Sequence, residues 1–229
     1  MSFSTMTTKT IKERYFDIKQ RIESRQEQSP VQLIAVSKKK PVEDIQTLHQ
    51  LGQRHFGESY PQEFAEKAKV LHELPIEWHF VGPIQSNKTK LIAEHAQWVQ
   101  SVDRIKIAQR LNDQRPSNLS PLNVCIQINI DNEPQKSGVT PENLDELANY
   151  IVQQPNLTLR GLMCLPKRTK HNQILEQSFR SMYALYLKLK KTYPDIDTLS
   201  MGMSSDLELA IEQGSTMVRV GQALFGSRT

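Results

Sequence analysis

Three consecutive lysines follow an apolar run near the start of the sequence. The stretch LIAVSKKKP covers residues 33–41, and its lysines are Lys38, Lys39 and Lys40. If the run is a strand, side chains alternate between its two faces, so Lys38 shares a face with Ile34 and Val36. Burial disfavours the charged form of a lysine, and the neutral amine is the nucleophile that forms a Schiff base. Lys38 is therefore the candidate reactive amine, and a solvated rim of three lysines is the alternative.

A second group of polar residues follows an apolar run near the end of the sequence. The stretch TLSMGMSSDLELA places Ser204, Ser205 and Asp206 immediately before a helical pattern. Free N–H groups and hydroxyls at a helix start can bind a phosphate. The same three residues are also common helix caps, so capping alone is the alternative.

An arginine lies inside the last apolar run of the sequence. In MVRVGQALFG, Arg219 stands between valines, and Gly221 and Gln222 follow. A buried guanidinium keeps its proton and needs an anion or another acceptor to offset its desolvation, and a glycine allows close approach of the backbone to a bound group. The alternative is a buried ion pair between Arg219 and a carboxylate such as Glu58 or Asp103.

The composition is that of a globular protein with a full hydrophobic core. The chain has 229 residues, of which 38% are hydrophobic and 24% charged, and its net charge is +4. The basic residues are not arranged as a nucleic-acid surface, and the sequence contains neither a membrane-spanning run nor a signal peptide, which predicts a cytoplasmic protein. Cys125 and Cys164 lie in apolar runs, so we expect core packing, with neither a disulfide framework nor a Cys-based metal site.

The elements that must position these residues are eight short apolar runs separated by helical patterns. Such alternation predicts a closed parallel (β/α)8 TIM barrel, and an open doubly wound sheet is the alternative. Against that alternative, no Gly-x-Gly-x-x-Gly turn follows the first run. We expect one domain over residues 1–229, with residues 1–30 as an N-terminal helical extension whose helix runs from Thr8 to about Gln28. The eight runs are VQLIAVS, RHFGES, EWHFVGP, WVQSVD, LNVCIQINI, LTLRGLMCLP, TLSMGMS and TMVRVGQALFG.

In such barrels the chemistry lies on the loops that follow the strands, and phosphate is commonly bound after strands seven and eight. A lysine after strand one, serines after strand seven and an arginine in strand eight describe a pocket for pyridoxal 5'-phosphate. Its aldehyde would meet Lys38, its phosphate would meet Ser205 and the backbone near Gly221 and Gln222, and its ring nitrogen would face Arg219. An arginine there disfavours protonation of the ring and weakens the cofactor as an electron sink.

Seven motifs in the chain resemble those of one known family, in the same order. They are LIAVSKKKP, FGESY, WHFVGPIQSNK, QINI followed by KSG, RGLM, LSMGMSSDLELAI and GSTMVRVGQALFG. They are similar to the YggS/PROSC family of pyridoxal phosphate homeostasis proteins, from about residue 33 to residue 226. The resemblance implies a barrel similar to the N-terminal domain of alanine racemase. It also implies a carrier or homeostasis role that affects amino-acid pools without catalytic turnover.

The resemblance also implies roles for particular residues. The cofactor lysine of the family falls on Lys38, and the lysine of KSG, a secondary cofactor acceptor, falls on Lys136. The other positions implied to bind cofactor are Ser204, Ser205, Arg219 and Gly221. Two positions depart from the family: Ser59 stands where asparagine is usual, and Gln222 stands where a small residue or threonine is usual.

Two enzyme classes remain as alternatives to a carrier. The first is an amino-acid racemase, which needs a proton donor on each face of the substrate, and alanine racemase takes the second from another domain. The chain ends at Thr229, soon after strand eight, so we expect no such domain. The second is a sugar-phosphate barrel enzyme with Lys38 as its Schiff-base lysine. His79 fits a structural or a catalytic role. We expect a monomer that delivers cofactor to pyridoxal phosphate-dependent apo-enzymes.

Overall fold

Eight parallel strands follow one another around a closed ring. The computed structural model describes residues 9–25, 30–167, 169 and 171–226. Each strand pairs with its neighbours in sequence, and the last strand pairs with the first. This confirms the predicted barrel, and the open-sheet alternative is wrong. The strands are β1 Gln32–Val36, β2 His55–Glu58, β3 Glu77–Phe80, β4 Trp98–Val102, β5 Leu122–Ile128, β6 Leu157–Cys164, β7 Thr198–Ser200 and β8 Met217–Val220.

Helices alternate with the strands and cover the outside of the barrel. They are α1 Ile11–Glu23, α2 Val42–Gln50, α3 Pro61–Val70, α4 Thr89–His95, α5 Ile105–Gln114, α6 Leu144–Val152, α7 Asn172–Thr192, α8 Leu207–Glu212 and α9 Gln222–Phe225. Two short 3-10 turns, Ser86–Lys88 and Pro141–Asn143, precede α4 and α6. Among the described residues, no helix is both long and apolar enough to cross a lipid bilayer.

The extra helix α1 begins at a capping box. The Thr10 hydroxyl accepts the Glu13 amide at 3.2 Å, and the Glu13 carboxylate accepts the Thr10 amide at 2.7 Å, so two free donors of the first turn are satisfied. Tyr15 and Ile22 are buried, and Arg14 donates from Nε to a carbonyl oxygen of α9 at 2.7 Å. The helix ends at Glu23, earlier than predicted, and both predicted end residues, 8 and 28, lie outside the described residues.

Strand residues alternate between the barrel interior and the helix layer. Leu33 and Ala35 of β1 belong to the large cluster beneath the helices, whereas Ile34 and Val36 belong to a smaller cluster. The smaller cluster fills the interior and contains Ile34, Val36, Trp98, Cys125, Met163, Leu165 and Met217. This alternation sets the face on which each polar side chain of the site lies.

The last predicted run is only partly a strand. β8 ends at Val220, and Gln222–Phe225 forms the short helix α9. The prediction of one strand through this run was wrong because its apolar residues are nearly continuous, so spacing alone does not separate strand from buried helix. The consequence for the site is that Gly221 and Gln222 lie in the turn into α9.

The two cysteines pack in the protein core, as predicted. Both are fully buried and unpaired with each other. Burial raises the pKa of the Cys125 thiol to about 12 and that of the Cys164 thiol to about 12. Neither side chain is therefore a thiolate at neutral pH.

Candidate functional site

The lysine-rich stretch forms a tight turn at the carboxyl end of β1. The amide of Ser37 still donates to Gly57 of β2 at 2.9 Å, so the ladder extends one residue past the strand. The chain then turns, because the Lys40 amide donates to the Ser37 carbonyl oxygen at 3.0 Å. Lys39 has a φ of 58°, a conformation that costs a non-glycine residue about 1–2 kcal/mol. The alternation of β1 would place Lys38 on the inward face, and in the structure Lys38 and Lys39 are the two residues of the turn itself.

The amines of Lys38 and Lys39 differ in their surroundings. Lys39 is exposed, and its Nζ lies 5.5 Å from the centre of the Tyr60 ring, a cation–π contact. Lys38 is only partly exposed, and among the described residues its amine has no hydrogen-bond or ion-pair partner. Of these two amines, that of Lys38 is the one left available to a ligand at the barrel mouth.

A buried charged network supports this turn from below, between β2 and α3. We call it the brace, and it consists of Ser37, Glu58, Glu63 and Lys67. Lys67 Nζ donates to the Ser37 carbonyl oxygen at 2.8 Å, to Glu58 Oε1 at 2.8 Å and to Glu63 Oε1 at 2.6 Å. The Ser37 hydroxyl donates to Glu58 Oε1 at 2.7 Å. The brace therefore fixes both the side chain and the carbonyl group of the residue that precedes Lys38.

Burial decides the electrostatics of the brace. Glu58 is fully buried, and desolvation raises the pKa of its carboxyl group, while the ammonium of Lys67 and the Ser37 hydroxyl act in the opposite direction. The sequence predicts none of the contacts of the brace. Its one visible signal is the i,i+4 spacing of Glu63 and Lys67 on α3.

Arg219 lies in the barrel interior and bonds to neutral acceptors. It is 4% exposed, and it donates from Nη1 to Ser200 Oγ at 2.5 Å and from Nη2 to the Cys164 carbonyl oxygen at 2.8 Å. Burial lowers the pKa of the guanidinium, which nevertheless stays charged at any physiological pH. Among the described residues, no carboxylate lies within ion-pair distance of Arg219.

The two carboxylates considered as partners for Arg219 pair elsewhere. Glu58 bonds to Lys67 on the outer side of the sheet, and Asp103 bonds to Arg104 at 2.5 Å. The alternative of a buried ion pair with either residue is therefore wrong. The described residues therefore supply no counter-ion for the positive charge of Arg219 at the floor of the barrel mouth.

A chain of hydrogen bonds continues from Arg219 through the interior. Ser200 Oγ donates to Gln100 Oε1 at 2.7 Å, and Gln100 Nε2 lies 3.0 Å from His79 Nδ1. His79 Nε2 in turn lies 3.0 Å from His55 Nδ1. Burial lowers the pKa of His79 well below its usual value, so this imidazole is neutral. His79 thus supports the interior network and does not lie on the loop that carries Lys38.

The two serines after β7 do not cap α8 as the sequence suggests. The residue before α8 is Asp206, and its carboxylate accepts the amide of Met203 at 2.5 Å, closing the preceding turn. Ser205 is exposed. Ser204 Oγ lies 3.4 Å from the amide of Ala223 in α9, so the loops after β7 and β8 meet at this hydroxyl.

Gly221 follows β8 and lies close to the end of β1. A Cβ at this position would lie 3.3 Å from the Val36 carbonyl oxygen, which is tighter than most side chains tolerate. Ile34 and Arg219 are direct partners in the ladder, so Val36 and Gly221 form the next step above them toward the barrel mouth. Gln222, the first residue of α9, is exposed.

Ser59 follows β2 on the inward side, next to β1. It is 8% exposed, and among the described residues its hydroxyl has no hydrogen-bond partner. A Cβ on Gly82 would lie 2.3 Å from the Ser59 carbonyl oxygen, so only glycine lets the loops after β2 and β3 approach this closely. The backbone that carries Ser59 is therefore held in place, and its hydroxyl is available to a ligand.

Lys136 lies apart from the other predicted residues, between the loops that follow β5 and β6. Its Nζ donates to the carbonyl oxygens of Leu165 at 3.1 Å and Pro166 at 2.9 Å, and it also pairs with Glu133. Its amine is therefore engaged by three acceptors. Any reaction of this amine with an aldehyde would first have to break these contacts.

The remaining predicted residues share one sector of the barrel mouth, formed by the loops after β7, β8, β1 and β2. Within the described part of the chain, Lys38 and Ser59 present groups without a protein partner, and Arg219 on the floor has no carboxylate partner. An aldehyde needs an available amine, and an anionic aromatic ligand favours an arginine that no carboxylate neutralises. These residues fit pyridoxal phosphate by their chemistry and by the sector they share.

Comparisons with known proteins match nearly the whole chain. The family model described as alanine racemase, N-terminal domain, matches residues 10–229. A curated relative from Pasteurella multocida, named pyridoxal phosphate homeostasis protein, is 51% identical over 96% of this chain and 98% of its own. The relative of the same name from Escherichia coli K12 is 51% identical over 86% of each chain.

Solved structures show the same barrel. PipY of Synechococcus elongatus, solved without pyridoxal phosphate, superposes with a TM-score of 0.87 at 34% identity, over 95% of this chain and all of its own. The same protein with pyridoxal phosphate bound superposes with a TM-score of 0.83. Alanine racemase of Clostridium difficile is 14% identical with a TM-score of 0.75, and the match covers 95% of this chain but 56% of the racemase, so the likeness is one of fold.

Proposed function

Because the chain belongs to the family of pyridoxal phosphate homeostasis proteins, with the barrel of the alanine racemase N-terminal domain, we propose that it binds pyridoxal 5'-phosphate and serves the intracellular homeostasis of that cofactor. The relatives carry this name, and PipY has been solved with the cofactor bound. In this role the protein holds cofactor and releases it, which affects the amino-acid pools that cofactor-dependent enzymes control.

One observation carries the proposal for the site. Lys38 presents an amine without a partner among the residues that the structure describes, just past the carboxyl end of β1, and the buried charge of Arg219 lies lower in the same sector, on the adjacent strand. We propose that Lys38 holds the cofactor as a Schiff base and that Arg219 faces its ring nitrogen. The phosphate side and the rim of the pocket would be completed by Ser59, Ser204, Ser205 and the backbone of Gly221 and Gln222.

The experiment that tests this function is absorption spectroscopy of the purified protein titrated with pyridoxal phosphate. We expect a visible band at one cofactor per chain, which borohydride removes by reducing the Schiff base to a stable amine. Peptide mapping of the reduced protein should then locate the cofactor on Lys38. A protein that takes up no cofactor would contradict the proposed function, and an adduct on another lysine would contradict the assignment of Lys38.

Replacing Arg219 with glutamine should weaken retention of the cofactor. A hydrogen bond to a charged group contributes about 1.5–3 kcal/mol, so we expect the off-rate to rise about 10- to 150-fold. The measurement is loss of the visible band after dilution into an excess of an apo-enzyme that traps free cofactor. Arg160→Gln is the matched control, because Arg160 lies on β6 over the Trp98 ring, 4.7 Å from its centre. An unchanged off-rate in Arg219→Gln would show that Arg219 serves the fold alone.

We further propose that the protein does not turn over amino acids. An arginine at the ring nitrogen keeps the ring unprotonated, and an unprotonated ring withdraws electrons from the substrate α-carbon poorly. Holo-protein incubated with L-alanine in deuterium oxide should therefore show no α-proton exchange over many equivalents of substrate. NMR of the alanine α-proton is the measurement, and exchange with turnover would establish the racemase alternative instead.

The other expectations from the sequence stay predictions. We propose that residues 1–229 form one cofactor-binding domain, that the protein is a cytoplasmic monomer and that its partners are apo-enzymes that accept pyridoxal phosphate. Lys136 remains a candidate secondary acceptor whose amine must first leave its carbonyl and carboxylate partners. Adduct formation on Lys136 under excess cofactor, found by the same peptide mapping, would support that role.

A further inference from the structure

Two histidines and a glutamate meet at the amino-terminal end of the barrel, away from the mouth that carries Lys38. They are His55, Glu77 and His79, which we call the lower trio. His55 and Glu77 are the first residues of β2 and β3 and are direct partners in the ladder. His79 follows Glu77 by two residues and so lies on the same inward face of β3. Strand register alone therefore brings the three side chains together.

The geometry of the lower trio is close to that of a metal site. Nδ1 of His55 and Nε2 of His79 are 3.0 Å apart, and one ligand atom from each of the three side chains lies within 4.8 Å of the others. Around a tetrahedral zinc ion with bonds of about 2.0–2.1 Å, ligand atoms are about 3.3 Å apart. Small side-chain rotations would bring all three ligand atoms to that spacing. From this arrangement we infer that the lower trio binds a divalent transition-metal cation such as zinc.

The protonation required of the ligands is compatible with the contacts that they make. A hydrogen bond between two imidazole nitrogens needs one of them to be an unprotonated acceptor. Either His55 Nδ1 or His79 Nε2 therefore already directs a lone pair toward the space between the two rings. The second lone pair becomes available when the shared proton moves to the other nitrogen of its own ring. For His79 that nitrogen is Nδ1, which faces the side-chain amide of Gln100 at 3.0 Å. The Gln100 amide can present its oxygen to that proton by a rotation of its terminal group.

Side chains that would not bind the metal themselves orient the ligands of the lower trio, as in known metal sites. The Trp98 ring stacks on His79 at 5.3 Å between centres, with 17° between the ring planes. Trp98 also donates from Nε1 to Glu77 Oε2 at 3.2 Å, so one side chain orients two of the three ligands. Such second contacts fix ligand orientation and commonly change metal affinity 10- to 100-fold when they are removed.

The local charge favours a cation. Glu77 has no ion-pair partner among the described residues, and Trp98 is its one hydrogen-bond donor there. The guanidinium of Arg160, which lies over the Trp98 ring, is already paired with Asp197. One carboxylate beside two imidazoles is a ligand set typical of zinc, and three protein ligands leave a fourth position for water.

Access to the site is also suitable. His55 and Glu77 are partly exposed at the end of the barrel, whereas His79 is fully buried. A cation can therefore enter from solvent at the two outer ligands and be closed off on the inner side. The sequence pattern indicates no metal site, because these three residues are not spaced as in a known metal motif and meet only through the register of β2 and β3.

The test is zinc binding to the chelator-treated full-length protein, measured by competition with a chromogenic zinc indicator. We expect one zinc ion per chain. His55→Gln and Glu77→Gln should each weaken binding by about 100-fold or more, since both remove a direct ligand. His72→Gln is the matched control, because His72 is an exposed histidine outside the lower trio. The zinc affinity of this variant should equal that of the wild type. Cobalt in place of zinc should give the intense visible bands of a four- or five-coordinate site, and His55→Gln should abolish them.

Two results would overturn the inference. One is the absence of stoichiometric binding at micromolar zinc, and the other is equal affinity in wild type, His55→Gln and Glu77→Gln. Circular dichroism and uptake of pyridoxal phosphate verify that each variant is folded. If one of the two variants unfolds, the zinc affinity of the other still tests the inference. Cofactor uptake and zinc binding are measured separately at opposite ends of the barrel, so failure of one proposal leaves the other standing.

Discussion

Replacing Lys38 with alanine is expected to abolish covalent attachment of pyridoxal phosphate and to leave the barrel folded. The amine makes no hydrogen bond or ion pair with the described residues, so its removal should change the free energy of unfolding by less than about 0.5 kcal/mol. The borohydride-fixed adduct, in contrast, should be lost completely, because we propose that the Lys38 amine alone carries the Schiff base in that sector. Absorption spectroscopy and intact mass after reduction give the two measurements.

Lys39→Ala is the matched control for this variant. Its side chain leaves the same turn but points to the Tyr60 ring, so its removal should leave the visible band and the adduct unchanged. An adduct that persists in Lys38→Ala would show that another lysine reacts, and mapping to Lys136 would identify the secondary acceptor. A lost adduct in both variants would mean that the turn as a whole, and not the Lys38 amine, determines attachment.

The barrel could be predicted from the sequence because its signals are local. Eight apolar runs separated by helical patterns are visible without knowledge of any long-range contact, and the alternation in β1 correctly placed Ile34 and Val36 on the interior face. The boundary after β8 could not be predicted in the same way. There the apolar residues of strand and helix form one run, and Gln222 begins α9 without any capping signal.

The partners of the site residues could not be predicted because they depend on register and on backbone groups. The sequence left a carboxylate partner open as the alternative for Arg219, whereas the structure gives it a hydroxyl on β7 and a carbonyl oxygen on β6. A carbonyl oxygen belongs to every residue, so its role leaves no signal in the side-chain sequence. The pairing of Glu58 with Lys67 and the meeting of His55 with His79 arise in the same way, from elements that come together only in the fold.

Replacing Lys67 with methionine is expected to be the most destabilising of the proposed substitutions. Methionine has a similar length and no branch, so packing is nearly preserved, but Glu58 is left fully buried without its cation. Breaking a buried pair in this way costs about 3–5 kcal/mol, which denaturant unfolding will measure directly. Lys69→Met on the same helix is the matched control, because Lys69 is exposed and its loss should cost less than about 0.5 kcal/mol.

A double-mutant cycle separates the ion pair from the packing of the two side chains. In Lys67→Met combined with Glu58→Gln, the buried charge is gone while an oxygen remains to accept the Ser37 hydroxyl, so most of the lost stability should return. The turn that carries Lys38 would still lack the ammonium that holds the Ser37 carbonyl oxygen, and cofactor retention should therefore stay below that of the wild type. Stability that recovers together with full retention would instead show that the ladder bond between Ser37 and Gly57 is sufficient to position Lys38.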